Sequence, residues 1–142
     1  MYPLHFVVQA EASYGISNKW QSFVKEYPKI EIAIPPEFNG PGKAYSPEDL
    51  YALAVLNCII AVYKSICEKN DLKFEKLLGS IDVTMDKSAE NSHIVLTHLD
   101  ISITVKGASD TEKARELFDK AMKTCPVSNS IKSGKTCHFK TE

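Results

Sequence analysis

The sequence predicts an α+β fold, with helices laid against antiparallel sheets in the order β-β-β-α-β-β-α-β. Three observations carry that prediction. Apolar residues alternate with polar ones along residues 6–34 and again along 81–105, the period of two that marks half-buried strands. Between these blocks, residues 48–69 contain neither Gly nor Pro, and residues 50–63 carry no charge, so one long helix is apolar on more than one face. After the second block, Ala114, Leu117, Phe118, Ala121 and Met122 recur at helical spacing. Strand blocks set apart by whole helices place the chain in the α+β class. At 142 residues, 44% apolar and 25% charged, it reads as a single domain, 1–142, of ordinary globular composition.

Taken in order, Phe6, Val8, Ala10, Ala12, Tyr14 and Ile16 share one face of a first strand. Asn18-Lys19 turns the chain into Trp20–Lys25, and Pro28-Lys29 turns it into Ile30, Ile32 and Ile34, so the opening third is an antiparallel meander. Three prolines and two glycines make residues 35–45 a loop, and a long loop ahead of a capped helix is often functional. The first helix has a complete start: Ser46 as N-cap, Pro47 at the first helical position and Asp49 three residues past the cap. Asn70-Asp71 is its stop, which makes it roughly 35 Å long. So long a helix, apolar all round, has little chain to wrap it here, and a second copy is expected to help cover it as a homodimer.

Residues 72–78 are ambiguous. Ile81, Val83 and Met85 then alternate as a strand, and residues 86–92 form a polar turn. Leu99, Ile101, Ile103 and Val105 share a face of the next strand, whereas Ile94 and Leu96 fall on the other parity, which requires a bulge near Thr97-His98. Ser109, with Glu112 three residues on, caps the second helix, and Pro126 ends its pattern. A short turn or helix over 126–131 and an edge strand over 135–140 complete the chain.

Composition narrows the function. A net charge of -1 with no run of Lys or Arg gives no electrostatic footprint for nucleic acid or anionic lipid. Residues 1–8 lack the basic and apolar parts of a signal peptide, and no uninterrupted apolar run reaches about 20 residues. A cytoplasmic protein is expected. The four cysteines form no C-x-x-C pair and no His lies at zinc-ligand spacing, so neither a metal nor another cofactor is expected. Four are too few for a disulfide scaffold, and any disulfide belongs to a redox cycle.

The thiols differ in what they offer. Cys58, mid-helix among Leu56, Ile59 and Ile60, reads from position alone as a small core residue. Cys67, nine residues on, is half a turn out of phase with it and reads as structural. Cys125 precedes Pro126 and so falls between two helices, as a candidate N-cap. There it meets free N–H groups and a positive dipole end, which lower a thiol pKa, with Ser128 close by; a helix-ending cysteine without a role is the other reading. Cys137, beside His138, is incidental. Glu48 favours the helix dipole, and it sits ten residues, about 15 Å, before Cys58. Any Glu48–Cys58 site must therefore form between subunits.

Ser46-Pro47-Glu48-Asp49-Leu50, Cys58 on the same helix, and Cys125-Pro126-Val127-Ser128 after the second helix together resemble the OsmC/Ohr family, which includes organic hydroperoxide resistance enzymes. The resemblance extends over essentially the whole chain. It implies an OsmC-like fold, an intertwined homodimer and two sites at its interface. It also implies catalytic roles for Cys58, Cys125 and Glu48. Cys58 would attack an organic hydroperoxide and become a sulfenic acid, and Cys125 would resolve it as a disulfide. A dithiol would then reduce the disulfide, of lipoyl type in the hydroperoxide-resistance members. The family's peroxidases also carry an arginine in the N-terminal strand region. Here the one arginine is Arg115, on the second helix, which leaves Lys19 and Lys43 as candidate thiolate-stabilising cations, though as point charges without a planar fork. The alternative function is an OsmC-fold protein that binds a small apolar ligand at the dimer interface.

Overall fold

The computed structural model describes residues 1–142, in two compact units of residues 1–50 and 51–142. In the first unit, β1 (Gln9–Glu11), β2 (Trp20–Phe23) and β3 (Ile30–Ile32) form the expected antiparallel meander. The strands are shorter than the alternation suggests. Phe6, Val8 and Tyr14 are 89%, 77% and 98% exposed, because alternation marks a face while a strand also needs a hydrogen-bonding neighbour. The loop over 35–45 is anchored rather than free. It begins with a single 3-10 turn at Pro36–Phe38, and Tyr45 returns to bridge Ile32, with Ala33 N–H donating to its carbonyl at 3.0 Å. Gly40 is required there, since a Cβ would lie 1.9 Å from the Ile34 carbonyl oxygen.

Helix α1 (Pro47–Lys69) starts and stops as the sequence predicts. Ser46 Oγ accepts from Asp49 N–H at 3.0 Å, and Asp49 Oδ2 accepts from Ser46 N–H at 2.9 Å, a reciprocal capping box. At the far end Asp71 turns left-handed (φ 55°), and Leu72 N–H reaches back to the Cys67 carbonyl at 2.9 Å in a Schellman motif. By length and composition alone α1 could cross a membrane: its 18-residue window has a mean hydropathy of 1.8, with 22% of the window buried.

In the second unit, β4 (Lys76–Lys87) and β5 (Ile94–Lys106) pair antiparallel. Thr84 faces His98 and Met85 faces Leu96, so Thr97 is the extra residue of a bulge where the parity change requires one. β6 (Gly134–Thr141) takes the other edge of β5 and runs parallel to it, so this sheet is mixed rather than antiparallel. The reason is the connection. Helices α2 (Thr111–Thr124) and α3 (Pro126–Asn129) form a crossover that returns the chain to the end of the sheet from which β5 started.

The core joins three surfaces: Leu99, Ile101, Ile103 and Val105 of β5, Val55, Ile59 and Tyr63 of α1, and Leu117, Phe118 and Ala121 of α2. Gly79 lets α1 approach β4, since a Cβ there would stand 2.8 Å from Leu56 Cδ1. Tyr63 O–H donates to the Ala114 carbonyl at 2.9 Å, which satisfies a polar group at the centre of the core. The cap of α2 is Asp110, not Ser109. Asp110 Oδ1 accepts from Lys113 N–H at 3.1 Å, while Ser109 Oγ accepts from Lys73 N–H at 3.1 Å and is thereby committed to the segment ahead of β4.

Candidate active site

The second unit brings two of the sequence-selected residues together. Cys58 is half-buried on α1, packed against the core cluster that contains Cys125. Cys125 is fully buried, with extended backbone angles (φ -68°, ψ 112°), and it both ends α2 and precedes Pro126 at the start of α3. Both are free thiols, and Cys58 is close enough to the Cys125 thiol to influence its ionisation. Two thiols so placed can exchange two protons and two electrons for a disulfide.

The acidity of Cys125 runs against the sequence expectation. Burial, followed by the hydrogen bond with Cys58, pushes its pKa up to about 11. The N–H groups of Ser128 and Val127, turned toward the sulfur at the start of α3, pull the other way and are outweighed. Helix position alone thus misjudged this thiol, because desolvation of a fully enclosed sulfur exceeds the help of a one-turn helix. Ser128 lies beside it, itself buried.

The other candidates sit elsewhere. Cys67 is buried next to Tyr63, and desolvation raises its pKa, as suits a structural thiol. Cys137 is exposed on β6, opposite Ile101. Lys19, Lys43 and Glu48 belong to the first unit. Lys19 Nζ pairs with Glu31 Oε1 at 3.2 Å and donates to the Lys43 carbonyl at 3.3 Å, while exposed Lys43 holds a left-handed backbone (φ 58°). Glu48 stands in the first turn of α1, and its Oε2 is buried without a hydrogen-bond partner. The sole guanidinium is already engaged. Arg115 Nη2 donates to the Phe139 carbonyl at 2.8 Å and its cation lies 5.2 Å from that ring's centre, tying α2 to β6.

Two further polar groups of the second unit escape a reading of the sequence. Tyr51, seven residues before Cys58 and so on the same side of α1, shares a 2.7 Å hydrogen bond with Ser133 Oγ, whose proton goes to the Leu96 carbonyl at the bulge. Its i, i+7 spacing from Cys58 was a usable signal. Lys135 donates to the Ser128 carbonyl at 2.6 Å, and no local pattern announces that contact.

The family model for OsmC-like proteins matches residues 40–140, the stretch that carries α1, both cysteines and the mixed sheet. The chain belongs to the OsmC family. This OsmC protein is 24% identical over 101 residues to a Staphylococcus aureus protein named organic hydroperoxide resistance protein-like, a match covering 71% of each chain. It is 29% identical over 86 residues to an uncharacterised protein of Methanocaldococcus jannaschii, covering 61% of this chain but 44% of that one, so it spans less than half of that relative's length. The fold of an OsmC-like protein of unknown function from Vibrio cholerae superposes with a TM-score of 0.85 at 15% identity, covering 96% of this chain and 99% of that one.

Proposed function

We propose that this OsmC protein is a thiol-dependent peroxidase that reduces organic hydroperoxides through Cys58 and Cys125. The observation that carries the reading is the pairing of a half-buried thiol on α1 with a buried thiol whose ionisation it influences. The Cys58 thiolate attacks the distal oxygen of the hydroperoxide. The O–O bond breaks, the alcohol leaves with a proton, and Cys58 holds the oxygen as a sulfenic acid. Cys125 then attacks the Cys58 sulfur, a disulfide forms and water leaves. A dithiol, such as one of the lipoyl type, restores both thiols and departs as its own disulfide. The likeness to a relative named for organic hydroperoxide resistance supports the choice of substrate.

In this reading the active form is a cytoplasmic homodimer. The apolar, mostly unburied length of α1 favours a second copy over it. Glu48 would act on the Cys58 of that copy, in keeping with an Oε2 that finds no hydrogen-bond partner within its own chain. The cation beside the thiolate falls to Lys19 or Lys43. The test is consumption of cumene hydroperoxide in the presence of a dithiol. Cys58→Ser abolishes turnover while the fold is kept; a variant that still turns over removes the reading.

A second reading has its own observation. The first unit holds a cavity of about 490 Å³, lined by Val8, Phe23, Tyr27, Ile30 and Leu50 among others. It suits a small apolar ligand and not a redox step. Catalytically silent protein that binds an apolar fluorescent probe would favour it.

A further inference from the structure

Local hydrogen bonds hold the turn that carries Cys125, and one of its carbonyls is held by a charge. The Cys125 carbonyl accepts from Asn129 N–H at 3.0 Å, the Val127 carbonyl from Ser130 N–H at 3.0 Å, and the Pro126 carbonyl from Ser130 Oγ at 2.8 Å. Asn129 Nδ2 ties the turn back to α2 through the Lys123 carbonyl at 3.0 Å. The Ser128 carbonyl has no continuing helix to satisfy it, because α3 ends at Asn129. The ammonium of Lys135 takes that place at 2.6 Å.

Lys135 does so from a fixed base. It is the second residue of β6, in register with fully buried Leu99 and on the face shared by Ile101 and Ile103. The contact therefore pins a four-residue helix to the sheet, in addition to the tie to α2. Ser128, whose carbonyl is held, is also the residue whose N–H faces the Cys125 sulfur.

From this geometry we infer that Lys135 is the positioning residue for the buried thiol: by holding the Ser128 carbonyl it keeps the 125–129 turn set so that Cys125 can close onto Cys58. Sulfur–sulfur bonding requires an approach to about 2.05 Å with a restricted dihedral. A turn free to rock about α2 spends less time in that geometry. A hydrogen bond from a charged donor is strong enough for its loss to slow closure about tenfold. The inference deepens the peroxidase reading, but it concerns disulfide closure and not the source of the oxidant.

The test therefore uses an oxidant other than peroxide. Diamide accepts two hydrogens from two thiols and becomes a hydrazine, leaving a disulfide. The reduced protein, Lys135→Met and Lys135→Arg are treated with diamide, quenched with acid, alkylated and mapped by mass spectrometry. Lys135→Met forms the Cys58–Cys125 disulfide about tenfold more slowly, Lys135→Arg closes at nearly the parental rate, and alkylation of Cys58 by iodoacetamide is unchanged in both. Closure in Lys135→Met as fast as in the parent overturns the inference, as does Lys135→Arg as slow as Lys135→Met. Should Lys135→Met fail to fold by circular dichroism, Lys135→Gln takes its place with the same expected slowing. A parallel series with cumene hydroperoxide separates the two ideas. A Lys135 effect with diamide, together with thiols untouched by hydroperoxide, leaves the positioning role standing and removes the peroxidase.

Discussion

At the scale of the residue, the proposed chemistry rests on two thiols of unlike surroundings. Cys58 is half-buried, whereas Cys125 is enclosed and its pKa is pushed up to about 11, chiefly by burial. Only a thiolate attacks a sulfenic acid, so in the proposed cycle closure at neutral pH would be limited by the small ionised fraction of Cys125. The rate of Cys58–Cys125 closure, followed by rapid quench, therefore rises about tenfold per pH unit from pH 7 to 10 and levels near 11. A flat profile would mean that Cys125 ionises readily after all. The same shift acts on stability. The folded thiol holds its proton more tightly than an unfolded one of pKa about 8.5, so its contribution is whole below that pH and is lost as pH climbs toward 11. The place of Cys125 between two helices was legible from one proline; its protonation was not, because enclosure is a property of the assembled core.

Among the elements, signals written into a few adjacent residues were legible, and those that depend on distant partners were not. Ser46, Pro47 and Asp49 mark the start of α1, and the parity change between Leu96 and Leu99 locates the bulge at Thr97. The cap of α2 was read one residue early because Ser109 and Asp110 are both good N-caps. The choice is made by Lys73, whose N–H occupies Ser109. Replacing Asp110 by Ala should accordingly cost about 1 kcal/mol in urea unfolding, with the slope unchanged. No loss of stability would return the cap to Ser109. The direction of β6 escaped for a similar reason, since a pairing of strands 28 positions apart is set by the crossover and not by the strand's own residues. The meander strands fell short because Phe6, Val8 and Tyr14 alternate without a covering surface in their own unit.

For the molecule as a whole, family membership and fold agree, and apolar surface is left uncovered on the single chain. α1 carries a long apolar window of which 22% is buried, and residues 1–8 expose Phe6, Val7 and Val8. The proposed homodimer would cover that surface and give the buried, unpartnered Glu48 Oε2 a counterpart on the second copy. Arg115 is engaged by Phe139, and the proposed peroxidase assigns the thiolate's cation to a lysine instead. The most direct measurement is native mass spectrometry, with disulfide mapping, after one equivalent of cumene hydroperoxide. The expected result is a particle of two chains, each two hydrogens lighter, with Cys58 joined to Cys125. Single chains with both thiols unmodified would contradict the peroxidase and its dimer together.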